Sequence, residues 1–208
     1  MNRRDAIGRV ALIMGGAVIG AEFFLSGCKP KGATSVPDLF EPDNVAYLNE
    51  IADTILPTTA ASPGAKAANV GGFMGVMVRD CYTPADQQTF IDGLKKLDDA
   101  ASTKYGSKFI DITDAQRTAL LVDLDSEQKK FMEDRNKQIA ADALKNKDVK
   151  DYKAPELPKH YFRMMKELTL TGYFTSEIGA TKALRYIAVP GRYDGCVPYK
   201  KGDKAWAT

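Results

Sequence analysis

From Val45 onward, the apolar positions Val45, Leu48, Ile51, Ala52 and Ile55 recur at spacings of three and four. That is the period of a helix with one buried face. Asp43 is its predicted cap, and Pro57 ends it after Leu56. Residues 57–68 read as a loop. A second helix is predicted over Val70–Tyr82, with Phe73, Met74, Met77 and Val78 apolar. Its Gly71, Gly72 and Gly75 weaken it and permit close packing. Thr83-Pro84 is a cap followed by proline at the first helical position. That third helix reaches about Lys104, burying Phe90, Leu94, Leu97 and Ala101, and Gly106 stops it. Thr113-Asp114-Ala115-Gln116 is a capping box that opens a fourth, with Leu120, Leu121 and Leu124 on one side.

The fourth helix continues as a very polar run to about Lys145. Residues 125–153 hold many charges and few apolar groups. A solvated helix or a mobile excursion is the leading reading, and an arm laid on a partner is the alternative. Pro158 is the predicted start of a further helix with Tyr161, Phe162, Met165, Leu168 and Thr169 on one side, continuing to Phe174. Ser176 is placed to cap a short helix to Tyr186. The stretch from Val189 carries Pro190, Gly191, Gly195, Pro198 and Gly202, so it is irregular. Its Tyr193, Tyr199 and Trp206 predict that it wraps the body or a partner. No run alternates long enough for a strand. The fold class is therefore all-α: an irregular bundle of about five to seven helices with an irregular C-terminal tail.

The front of the chain breaks this pattern. Arg3 and Arg4 precede a mostly apolar run from Val10 to Leu25 that contains Gly15, Gly16, Gly20 and Glu22. A basic start followed by a short apolar segment is a secretory signal, and the arginine pair marks the twin-arginine type. The run is less hydrophobic than a spanning helix. Asp5 and Ala6 stand where a phenylalanine commonly follows, which keeps ordinary secretion as the alternative. Leu25-Ser26-Gly27-Cys28 resembles a bacterial lipobox, with Cys28 as the lipidated residue and cleavage just before it. The chain accordingly divides into residues 1–27 (signal), 28–42 (tether) and 43–208 (helical domain). The expected location is periplasmic, lipid-anchored to a bacterial membrane.

Composition removes function classes more than it adds them. The full chain carries a net charge of +2, so nothing suggests a nucleic-acid footprint. His160 is the single histidine, which rules out a histidine-rich metal or haem site. A structural role suits it better than a catalytic triad, which would need a positioned acid and nucleophile. Gly71-Gly72-Phe73-Met74-Gly75 has the wrong spacing for a dinucleotide turn. No Cys-x-x-Cys-His and no iron–sulfur cysteine set exists. Asp98-Asp99 and Glu133-Asp134 lie on charged helical faces. No catalytic, cofactor-binding or metal-binding residue is expected in this chain. Cys81 and Cys196 remain after the anchor cysteine. An exported compartment and an even count favour a bond between them. Two buried, reduced thiols, or a bond to a partner subunit, are the other readings.

Three blocks then read together: Tyr47–Thr59 with Ser62-Pro63-Gly64-Ala65; Phe90-Ile91-Asp92-Gly93-Leu94 with Leu97-Asp98; and Leu168–Gly179 with Val189–Cys196. In combination they resemble the gluconate 2-dehydrogenase subunit 3 family over roughly residues 45–198. The resemblance implies a small, non-catalytic accessory subunit. Its implied partner is a FAD-dependent dehydrogenase large subunit of the glucose–methanol–choline type, which oxidises sugars, sugar acids or glycosides, often with a cytochrome c taking the electrons. FAD is expected in that partner and no cofactor in this chain. The small subunit would carry the twin-arginine translocase signal for both chains. A stand-alone periplasmic lipoprotein that binds or processes glycans is the alternative, motivated by Tyr186, Tyr193, Tyr199 and Trp206, although packing explains such aromatics more simply. A scaffold lipoprotein with no redox partner is the third reading.

Overall fold

The computed structural model describes residues 35–189, 191–192 and 195–207. The signal residues Arg3 and Arg4, the lipidation position Cys28, and Pro190 and Tyr193 of the tail lie outside the described residues. Among those described there are five α-helices: α1 (Pro42–Ile55), α2 (Val70–Cys81), α3 (Pro84–Tyr105), α4 (Asp114–Lys145) and α5 (Tyr161–Phe174). Short 3-10 turns cover Pro37–Phe40, Ala65–Ala68 and Phe109–Asp111, and a π-helical turn covers Gly179–Ala183. The only strand-like pairings there are isolated bridges, Thr59 with Ser62 and Arg185 with Trp206. The all-α expectation holds.

The helix ends follow local chain chemistry. Thr83 Oγ1 accepts from the Asp86 amide at 3.3 Å, and Gly106 closes α3 in the left-handed region at φ 78, which costs a residue without Cβ little. The Thr113 capping box is complete. Its Oγ1 accepts from the Gln116 amide at 3.4 Å, while Gln116 Oε1 accepts from the Thr113 amide at 3.0 Å. Four boundaries differ from expectation. Glu41, not Asp43, caps α1, with Pro42 at its first position. Ala65–Ala68, read as loop, turns into a 3-10 helix after the Ala65 amide donates to Leu56 O. The helix predicted from Pro158 starts at Tyr161, because the His160 side chain takes the cap position. The helix predicted to Tyr186 is a π turn ending at Ala183; Ser176 Oγ does accept from the Gly179 amide at 3.0 Å.

The core lies around α5, which touches each of the other four helices. Its Phe162, Met164, Met165 and Leu168 are buried among Leu48 and Ile51 of α1, Met74 and Val78 of α2, Phe90 and Leu97 of α3, and Leu121 and Leu124 of α4. Each such side chain contributes roughly 1.5–3 kcal/mol on leaving water. Leu39, within the stretch read as tether, is fully buried. Along α1, Asn44 is buried and Val45 only half so, since Asn44 Nδ2 donates to Asp38 O at 2.8 Å. The crossing of α1 and α2 is close. A Cβ on Gly71 would sit 2.5 Å from Val45 O, and the Gly71 amide donates to Asn49 Oδ1 at 2.8 Å.

Candidate interaction surfaces

Two features leave the packed body. The first is the far half of α4. Its last buried residue is Gln128, and the helix runs on for about 25 Å at 1.5 Å per residue. This stretch is not solvated all round. Met132, Arg135, Ile139 and Asp142 form a half-buried stripe at helical spacing. The returning chain is pinned along it: Arg135 Nε donates to Leu157 O at 3.1 Å, and the Tyr152 hydroxyl donates to the Asp142 carboxylate. Helix and strap together make an arm. Phe131, Leu144 and Val149 on it are exposed.

The base of the arm is fixed by charge and by one imidazole. Partial burial alone would raise the Asp125 carboxyl. Hydrogen bonds from Lys129, Lys166 and Gln128 outweigh it and hold the group at about 2. Lys166 lies on α5, so this cluster ties the two helices together. His160 is buried; its Nδ1 accepts from the Phe162 amide at 3.3 Å, which leaves the ring proton on Nε2, 3.5 Å from Glu127 Oε1. The ring stacks on Tyr161 with centroids 4.8 Å apart and meets the edge of Phe131 at 5.4 Å. Burial pushes the imidazole below its ordinary value despite Glu127. The Tyr161 phenol beside it is pushed up to about 12 by burial. Lys159, the residue before His160, reaches Asp86 of α3 at 2.8 Å.

The second feature is the C-terminal segment. Arg185 pairs with the returning chain on both backbone atoms: its amide donates to Ala205 O and its carbonyl accepts from the Ala207 amide, each at 2.8 Å. Its guanidinium lies over the Trp206 ring, 5.0 Å from the centroid, and Nε donates to Lys204 O. The tail therefore folds back on the segment just before it. Tyr186, Ile187, Val189, Val197, Tyr199 and Trp206 are exposed along it.

Chemistry elsewhere is sparse. Among the described residues, no group of His, Cys, Asp and Glu is arranged to hold a metal ion, and no helix is long and apolar enough to cross a membrane. Cys81 at the end of α2 and Cys196 in the tail are both exposed, and the structure shows no bond between them. Cys81 Sγ instead approaches Met77 Sδ at 4.0 Å. Asp98 is not the charged-face residue its sequence position suggested. It accepts from the Tyr47 hydroxyl at 2.8 Å and the Phe109 amide at 3.2 Å, and burial followed by this carboxylate pushes the Tyr47 phenol far up. The sequence also gives no sign of the partners of Arg117, Arg185, and Tyr173, whose hydroxyl meets Ser62 Oγ at 2.5 Å. Their partners lie many residues away, so no local spacing marks them.

A family model described as gluconate 2-dehydrogenase subunit 3 matches residues 42–191, which spans α1 to the turn after α5. No curated protein and no solved structure matches the chain.

Proposed function

The chain belongs to the gluconate 2-dehydrogenase subunit 3 family, and from that membership we propose that it is the non-catalytic small subunit of a dehydrogenase complex. It escorts a FAD-dependent partner of the glucose–methanol–choline type through twin-arginine export, stabilises it and anchors it to a membrane. Catalysis on a sugar or glycoside, the flavin and the electron transfer to a cytochrome c belong to the partners. The observation that carries this reading is the family match over the whole helical body. The Arg3-Arg4 signal and the Cys28 lipobox support the export and anchoring roles. A flavin enzyme folds around its cofactor before export, and a route for folded cargo suits that need. The arm of α4 and its strap, with Phe131, Leu144 and Val149 exposed, supplies a ready contact for the large subunit. The glycan-binding alternative finds little support, since Arg185 already occupies one face of Trp206.

Co-expression with a neighbouring flavoprotein that lacks its own signal tests the reading. The flavoprotein is expected to co-purify and to reach the periplasm with this chain. Arg3→Lys with Arg4→Lys should strand both chains in the cytoplasm, and Cys28→Ser should remove the lipid attachment. Absence of co-purification, with both chains folded, would sink the proposal.

A further inference from the structure

Charge is distributed unevenly along this chain. Between Ser35 and Thr181 there are 18 basic and 23 acidic residues; from Lys182 to Thr208 there are six basic and two acidic. The basic segment is also the one with concentrated exposed apolar side chains, Val189 at 81% and Tyr199 at 75%. Its shape is built. The Arg185 pairing holds the returning strand, and Lys204 Nζ donates to Lys182 O. At the tip, Lys200-Lys201-Gly202-Asp203 forms a tight turn: the Asp203 amide donates to Lys200 O at 3.0 Å, and Gly202 sits at φ 95, a conformation glycine adopts without strain. Asp203, the one acid between Gly195 and Ala207, accepts from the Lys200 amide at 2.9 Å. The lysines are left at the tip beside Val197 and Tyr199.

Two kinds of partner take exposed aromatics. Protein interfaces enrich aromatic residues and arginine but are depleted in lysine. An anionic bilayer surface attracts lysine and accepts tyrosine, tryptophan and aliphatic side chains at headgroup depth. At the tip, Lys200 and Lys201 directly follow the exposed Val197 and Tyr199, and four of the six basic residues of the segment are lysines, which is the second composition. We infer that this C-terminal surface is a membrane-contact site that rests on anionic phospholipid headgroups. The lysines neutralise phosphates, and Tyr199 and Val197 enter the interface. The acidic body faces away, repelled by the same surface charge. A lipid on Cys28 would hold the chain near the bilayer; this second contact would set the orientation of the body on it. The site does not depend on which dehydrogenase, if any, the chain accompanies.

The mature chain from residue 28 onward, with Cys28→Ser removing the acyl group, is tested for co-sedimentation with phosphatidylcholine vesicles, with and without phosphatidylglycerol. Binding is expected to require the anionic lipid and to fall as salt rises. Lys200→Glu with Lys201→Glu should weaken it by about tenfold or more. Tyr199→Ser should weaken it without changing its salt dependence. All three side chains are exposed, and unchanged circular dichroism will establish that the variants fold. Equal binding to pure phosphatidylcholine, or binding unaltered by the charge reversal, overturns the inference. So does a reversal that spares vesicle binding but abolishes co-purification of a flavoprotein, because the surface is then a protein interface.

Discussion

Arg117 Nη1 donates to Glu50 Oε2 across 3.1 Å and so joins the start of α4 to the middle of α1. The same guanidinium donates to Phe109 O at 3.1 Å and to Ile110 O at 2.6 Å, and lies over the Phe109 ring. One side chain thus serves a carboxylate and two carbonyls of the 3-10 turn. Arg117→Ala is expected to cost about 1–3 kcal/mol, because partly buried acceptors lose a charged donor. Arg117→Lys should recover little, since an ammonium lacks the planar fork that meets several acceptors at once. Chemical denaturation of both variants checks this; a loss below about 1 kcal/mol for the alanine variant would refute it.

Gly71→Ala tests the crossing of α1 and α2. Alanine favours an isolated helix by about 1 kcal/mol over glycine. Here the added methyl meets the backbone of Val45, which cannot swing aside. A net loss of about 1–3 kcal/mol is expected, read as a lower melting temperature. A more stable protein would show that the two helices part without cost.

His160 gives stability a pH dependence. Its imidazole ionises less readily in the fold than in the unfolded chain, where it titrates near the ordinary value of about 6.5. The unfolded state therefore binds more protons in the window just below that value. Stability is fully present above it and declines as pH falls through the window. The groups facing the ring are Glu127 of α4, Tyr161 of α5 and Lys96 of α3. His160→Asn keeps a capping oxygen and removes the titrating group. Melting curves from neutral pH to about pH 5 should show the native chain losing stability relative to this variant. A constant difference across the series would remove His160 from the explanation.

Cys81 is exposed at the end of α2, and a maleimide should label it without denaturant. Exported protein purified without reductant settles whether oxidation joins it to Cys196. Protection of Cys81 there, reversed by a reducing agent and lost in Cys196→Ser, would show that the tail is stapled after export.

How much of this was legible follows from how local each signal is. The Thr83-Pro84 start, the Gly106 stop and the Thr113–Gln116 box each act within four residues, and each was placed correctly. The sequence predicts too early a start for α5, because Pro158 is a good opening residue in isolation. In the fold, Leu157 O is held by Arg135 and Lys159 by Asp86, so the chain stays extended until His160. Asn44 replaced Val45 on the buried face for a similar reason: its acceptor, Asp38 O, lies in a turn read as tether. The polar run of α4 was recognisable as a helix. That a strap covers one side of it was not, since Arg135 and Leu157 carry no mark of their pairing. The C-terminal surface was visible as a set of aromatics, while its clasp at Arg185 depends on residues twenty positions on.

The central place of α5 also governs when the body can form. Ribosomes deliver α1 to α4 first, and until residues 161–174 emerge, Leu48, Met74, Phe90 and Leu121 lack the helix that covers them. Completion of the core during synthesis therefore waits on residues 161–174. Nascent chains stalled before Tyr161 are expected to leave these apolar side chains uncovered and to bind holding chaperones, which pull-down of stalled chains checks.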